Sequence, residues 1–389
     1  MNMRVWGLLV CAALCIGASP HHSRHAPPQP LIAAAIEQTQ FGQGQTPNTA
    51  LIVKAEVLLD RAGFSPGVID GRDGDNYRKA VAAFQRRSRL DPTGILNGDT
   101  FNSLAATSQD PIMVDYAITE ADVKGPFTKN IPARFEAMAK LPALDYPSPR
   151  NKLAERFHMS EALLATLNPG ADFAHPGTHI VVTDVPQKPR HTRVAKVVID
   201  KSARTLSAFD ADGHLVAFYP ASIGSAEKPA PSGEFKVKGV AHNPTYHYDP
   251  CFGFKGVKAQ HKFTIRPGPK NPVGVVWIDL SAPSYGIHGT PSPEKIGKTE
   301  SHAASGSPIG TRSISRAWCT VGRWSISSAE ERLGRTSLHG RAGPFLLGDG
   351  STAKLLSKDE ARRIAVNIAK LPELLRSTNS MKLVLPHQR

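Results

Sequence analysis

Between residues 50 and 104 the apolar positions recur at helical spacing. "LIVKAEVLLDRAGF" and "YRKAVAAFQRRSRL" each carry an apolar stripe, "SPGVIDGRDGDN" between them is rich in turn residues, and "DPTGILNGDTFNSL" opens a third short helix. The pattern predicts a compact three-helix bundle over 50–106. From 145 to 186, "DYPSPRNKLAERFHMSEALLATLNPG" reads as two helices, and "THIVVTDV" as a closing strand. From Val194 the period shortens to two. "VAKVVIDKSARTLSAFD" and "GHLVAFYPASIG" alternate apolar and polar residues around a "DADG" turn, a hairpin signal, and "GEFKVKGV" and "VGVVWIDLS" add further short strands. The expected class is α+β multidomain: a small helical bundle, a second small module, and a β-rich, sandwich-like domain. Each of the two N-terminal modules is expected to carry a core of its own.

The flanks read differently. "MNMR" followed by "VWGLLVCAALCIGA" is a cationic start and an apolar run short for a membrane span, so residues 1–18 are expected to be a secretory signal peptide. Cys15 lacks the small preceding residue that a lipid-attachment signal uses. Residues 19–48, rich in Pro, Gln, His and Gly, read as a linker without a core. Near the other end, "SKDEARRIAVNIAKLPELLR" has Ser357 as N-cap, acids in its first turn and Pro372 near its stop, which predicts an amphipathic helix.

Length and charge sharpen the picture. At 389 residues the chain is long for one domain, and its net charge of +14 favours an anionic surrounding. No Lys/Arg run is interleaved with aromatics, which argues against nucleic acid. Removal of the signal leaves Cys251 and Cys319, too few for a disulfide framework, and no Cys/His pairs stand at metal-ligand spacing. Neither a metal nor a cofactor is expected, and membrane contact is expected through the signal segment alone.

The order "LLDRAGFSPGVIDG", "AVAAFQ", "DPTGILNGDTFNSL" resembles the peptidoglycan-binding type 1 domain. The 145–186 segment looks like a lysin-motif module, although no first strand is evident. Residues 194–302, through "PASIGSAEKPAPSGEFKV", "NPVGVVWIDLS" and "YGIHGTPSPEKIGKTESH", are similar to the L,D-transpeptidase (YkuD) catalytic domain. That resemblance implies peptidoglycan stem peptides and glycan strands as partners and a periplasmic or cell-envelope location. It also implies a cysteine that attacks a stem tetrapeptide, releases D-alanine and passes the acyl group to a neighbouring amine. A thiol needs a nearby base, and His288 is the candidate; Gly289 lets the chain turn tightly beside substrate. Ser301 and His302 match the residues preceding the family's Gly-Cys, where they orient the base and shape the cleft.

At the next two positions the family pattern breaks. Ala303 and Ala304 stand where glycine and the cysteine nucleophile belong, and Cys319 lies fifteen residues beyond, outside any comparable turn. One lost base accounts for the change. The codons GGC TGC GTC CGG CTC ACC AAT TGG GAC encode "GCVRLTNWD", the family's own continuation; read one base later they give "AASGSPIG" and the start of Thr311. Extended through "RSISRAWCTVGRWSISS", the same shift permits "ALDLARLVHRGTVVDFL", a helix, a glycine turn at 322 and a strand. Residues 303–389 are therefore read as a frameshifted tail, with a divergent natural ending as the alternative. A catalytic domain cut at 302 is expected to leave an unpaired sheet edge.

Overall fold

The computed structural model describes residues 31–186, 193–224, 230–250, 259–282 and 285–298, with the backbone of three further strands at 323–327, 364–367 and 382–384. The signal segment 1–18, Ser301, His302, Ala303, Ala304, Cys251 and Cys319 lie outside the described residues. No described helix is long and apolar enough to cross a membrane.

The linker reading of 19–48 needs correction in its second half. Ala33–Gln38 forms helix α1, whose Ile36 is fully buried. Lys54 Nζ donates to the Glu37 and Thr39 carbonyls at 2.6 and 3.0 Å, and Glu37 Oε1 accepts from Met113 N–H at 2.6 Å. One large apolar residue on a six-residue helix is too little to show in composition; docking on a neighbour supplies what local sequence lacks.

The helices of the expected bundle are α2 (Thr49–Ala62), α3 (Asp75–Arg87) and α4 (Gly98–Ala105). Asn48 caps α2 by accepting Leu51 N–H, and Asn97 caps α4 by accepting Thr100 N–H, both at 2.9 Å. The buried Gln85 shows what the "AVAAFQ" stretch does: its Oε1 accepts Gly94 N–H at 2.9 Å, and its Nε2 donates to Ile95 O and Thr100 Oγ1, each at 3.0 Å. A single amide thus fastens the loop before α4 to α3. Helix α3 ends in a left-handed residue, Arg89 at φ 60, with Leu90 N–H donating to Gln85 O at 2.8 Å. Glycine is usual there; an L side chain costs about 1 kcal/mol.

The second module contains a strand that the hydrophobic pattern does not single out. β1 (Met113–Ala117) is followed by short helices α5 (Glu120–Val123) and α6 (Phe135–Met138), then α7 (Pro149–Arg156), α8 (Glu161–Leu167) and β2 (His179–Thr183). β1 and β2 pair antiparallel from Met113↔Thr183 to Ala117↔His179, so two strands bracket the helices expected from 145 onward. The expectation of separate cores is corrected. Leu58, Phe84 and Phe101 of the bundle share one buried cluster with Leu153, Leu164, Ile180 and Val182 of the second module and with Phe218 beyond both. A buried Asp60–His158 contact at 2.8 Å joins the two modules as well.

The β-rich part is a two-sheet sandwich, as its period-two pattern implies. Its strands are β3 (Lys196–Asp200), β4 (Thr205–Phe209), β5 (Leu215–Pro220), β6 (Val237–His242), β7 (Tyr246–Tyr248), β8 (Phe263–Ile265), β9 (Val276–Leu280) and β10 (Tyr285–His288). Strands β11 (Arg323–Ser327), β12 (Ile364–Asn367) and β13 (Lys382–Val384) follow. One sheet runs β13-β11-β3-β4-β5, the other β12-β10-β9-β6, and β7 and β8 form a separate pair. Alternate residues Val197, Ile199, Leu206 and Ala208 of the first sheet meet Val276, Ile278 and Ile287 of the second. Burial of each large aliphatic side chain is worth about 1.5–3 kcal/mol. The sandwich joins the bundle at β5, where Ser65 N–H donates to Phe218 O and Phe218 N–H to Gly63 O, both at 2.9 Å.

Two expectations for the tail are overturned. The edges of β3 and β10 are paired, by β11 and β12 in parallel. Moreover, Ile364–Asn367, inside the segment expected to be a helix, is strand β12. Its "IAVN" is as fit for an edge strand as for a helix face, and the exposed ladder of β10 offers backbone partners that helical spacing cannot anticipate.

Candidate active site

His288 ends β10 and points away from the sandwich core. Its neighbour Ile287 faces inward and is buried, so the alternation of the strand places the imidazole on the outer face of the sheet. Directly across on β9, in register, lies Trp277; the rings stack with centroids 5.5 Å apart and planes 12° apart. Gly286 makes room for that indole, since a Cβ there would sit 2.4 Å from Trp277 Cζ2.

The imidazole is nevertheless fully buried. Its Nδ1–H donates to the Gly289 carbonyl at 2.7 Å, which leaves Nε2 as the acceptor of the neutral ring. Among the described residues Nε2 meets no hydrogen-bond partner. Burial pulls the histidine down to about 4, partly opposed by its bond to Gly289, so at neutral pH the ring is uncharged and carries a free lone pair. A neutral, fixed imidazole with an unused Nε2 can take a proton from a thiol placed opposite it.

This depression has a measurable consequence. Above pH 6.5 the histidine is neutral in folded and unfolded chains alike; as pH falls from 6.5 toward about 4 the unfolded chain takes up a proton that the folded one refuses, and stability declines. The contribution is about 3 kcal/mol. His288→Gln is expected to flatten this limb of a urea-denaturation profile against pH. An unchanged difference in stability between pH 7 and pH 4 would show that the imidazole is not held neutral.

The turn after His288 is held from behind. Gly274, at φ 62, lies against Gly289, and a Cβ on Gly274 would come within 2.8 Å of the Gly289 Cα. Its loop is braced by the buried Asn271, whose Nδ2 donates to Arg266 O at 2.8 Å and whose Oδ1 accepts Val273 N–H at 3.0 Å. Beside it, Lys270 donates from Nζ to the Pro291 carbonyl at 3.0 Å and forms a part-buried ion pair with Glu155 of α7. Asn76 of the bundle donates to Ile296 O at 2.9 Å, fixing the same stretch further along. His288 and Gly289, the described residues of the expected site, stand side by side at the end of β10. Trp277, Asn271 and Lys270 were not singled out by the sequence pattern; "NPVGVVWIDLS" contained the first two, but no spacing rule points from Lys270 to a glutamate 115 residues earlier.

Two segments of the chain match known protein families. Residues 195–308 match the L,D-transpeptidase catalytic domain, YkuD, and residues 48–104 the "Putative peptidoglycan binding domain". Over the first of these segments the chain is similar to YkuD catalytic domains. Over 151 residues it is 28% identical to the "Putative L,D-transpeptidase YkuD" of Bacillus licheniformis, covering 38% of this chain and 74% of that protein. The Bacillus subtilis protein of the same name is 27% identical over 152 residues, covering 39% and 76%. Among solved structures, L,D-transpeptidase 3 from Mycobacterium tuberculosis in complex with a faropenem-derived adduct has 15% identity and a TM-score of 0.24, with 34% of this chain and 66% of that one covered. The YkuD match begins at the start of β3 and includes His288, Gly289 and the alanines at 303 and 304.

Proposed function

We propose that this chain is a peptidoglycan-binding envelope protein of L,D-transpeptidase descent whose own acyl transfer is silent. One observation carries the reading: a buried, neutral His288 offers an unused Nε2, while the position that the family motif gives to the nucleophile holds Ala304. By descent the reaction is cysteine acyl transfer. A thiol loses its proton to His288, the sulfur attacks a stem-peptide carbonyl, D-alanine leaves with a proton, and an amine resolves the thioester. A methyl group has no lone pair with which to begin it. Ser301 and His302 are assigned to orienting the base and shaping the cleft. The peptidoglycan-binding match at 48–104 and the β1–β2 unit, read as a lysin-motif-like glycan binder, supply wall attachment, with the signal segment 1–18 directing export.

Purified chain incubated with disaccharide-tetrapeptide is expected to release no D-alanine and form no dimer. Turnover abolished by Cys319→Ser would overturn the reading and identify a relocated nucleophile. The binding half is tested separately. The full chain is expected to co-sediment with insoluble peptidoglycan, and a chain that stays in the supernatant has lost its proposed partner.

A further inference from the structure

A groove lies on the outer face of the sheet that holds β3, β4 and β5. Val197, Ile199, Leu206 and Ala208 face the sandwich core, so Val198, Ser207 and Phe209 face outward. There, with Leu215 and Phe218, they floor a groove of about 720 Å3 whose other wall is the C-terminal end of α3. That volume is in the range of built ligand sites. The wall is cationic: Lys79, Arg86, Arg87 and Arg89 line it. Arg87 and Arg89 are exposed, and among the described residues neither has an acidic partner. Asp200, the acid on the groove's lining, is already engaged, its Oδ1 accepting from Ser202 Oγ and Ala203 N–H.

Basic residues at a helix C-terminus are common because they complement its dipole, but that does not explain Arg89. It occupies the left-handed position that glycine fills most easily, and its side chain lines the groove. A left-handed backbone position that bears a long cationic side chain at the groove adds to the charge of its wall.

We propose that the groove docks an extended acidic segment of a partner protein, with its apolar side chains on the sheet and its carboxylates on the α3 arginines. The floor presents outward residues at the two-residue period of a strand, which suits a peptide that is itself extended. An anionic polymer of phosphates would satisfy the wall and leave Phe209 and Leu215 facing charge. A wall stem peptide, with small side chains, would leave the same floor largely uncovered. The groove lies apart from His288, so its role is independent of whether the chain transfers acyl groups.

The test uses the full chain and a fluorescent, N-acetylated peptide alternating leucine and glutamate, followed by anisotropy. Saturable binding is expected, weakened about tenfold or more by Arg87→Glu with Arg89→Glu and by raised salt, and largely kept in the Arg87→Lys, Arg89→Lys pair. Both residues are exposed, so urea midpoints should not move in either pair. Equal affinity of the charge-reversed chain, equal binding of a leucine–lysine peptide, or no binding overturns the proposal. So does displacement of the peptide by disaccharide-tetrapeptide or polyphosphate at lower concentration than by an unlabelled copy of itself.

Discussion

Insertion of one guanosine directly after codon 302 is expected to yield a chain that forms a covalent acyl adduct. On the frameshift reading, the inserted base gives Gly-Cys at 303 and 304 and the in-frame continuation behind them. On exposure to disaccharide-tetrapeptide, intact-mass measurement should show the protein heavier by the donor less D-alanine. The chain as written should show no change. The expected difference in rate is about 10⁶-fold, the scale on which removal of a nucleophile acts in other acyl-transfer enzymes.

Two outcomes would count against the argument. An adduct on the chain as written would mean that a nucleophile exists elsewhere, whereas a folded, frame-restored protein that forms none would mean that His288 does not serve a thiol. A second variant, Ala303→Gly with Ala304→Cys in the chain as written, separates the sulfur from its framework. With His288 already neutral and its Nε2 unoccupied, the thiol alone should give slow adduct formation. The frame-restored chain should react faster, because backbone N–H groups aimed at the developing oxyanion depend on the surrounding turn as well as on the sulfur.

How far these features could be read from sequence depends on the distance over which their causes act. The helices α2, α3 and α4 announce themselves through apolar spacing and Asn caps, all within a turn or two of the residues concerned. The sandwich strands do so through their period of two. The "HGT" turn was legible because a histidine followed by glycine in a known family context is a local signal. By contrast, Ile36, β1 and β12 are ordered by partners distant in sequence: α2, β2 and β10 in turn. Their own residues are equally consistent with linker, loop or helix, so pattern had no purchase on them. The shared core was hidden for the same reason, since amphipathic stripes reveal that a face is covered and say nothing about which module covers it. Within the site, Nε2's isolation is a property of three-dimensional surroundings, whereas the alanine at position 304 is plain in the sequence.

The Lys270–Glu155 pair is the strongest case of a long-range cause, and it sets up the second large effect. Lys270→Met is expected to destabilise the protein by about 3–5 kcal/mol, because it strands a carboxylate beneath the protein surface. Burial already pushes Glu155 upward, with the Lys270 ammonium opposing that shift; without the ammonium the carboxyl is driven further toward its neutral form. The variant's loss should therefore be greatest where unfolded Glu155 is ionised, and shrink as pH falls below the ordinary carboxylate range. Glu155→Met together with Lys270→Met should recover most of the stability, since neither charge is then left alone. Urea titrations at two pH values check both claims. If the double variant is no more stable than the single one, the value of the pair lies in geometry: Lys270 Nζ also holds the Pro291 carbonyl, two residues beyond Gly289. In that event His288 should lose its fixed environment, and a rise of its titration midpoint from about 4 toward 6.5, followed by NMR, would register the change.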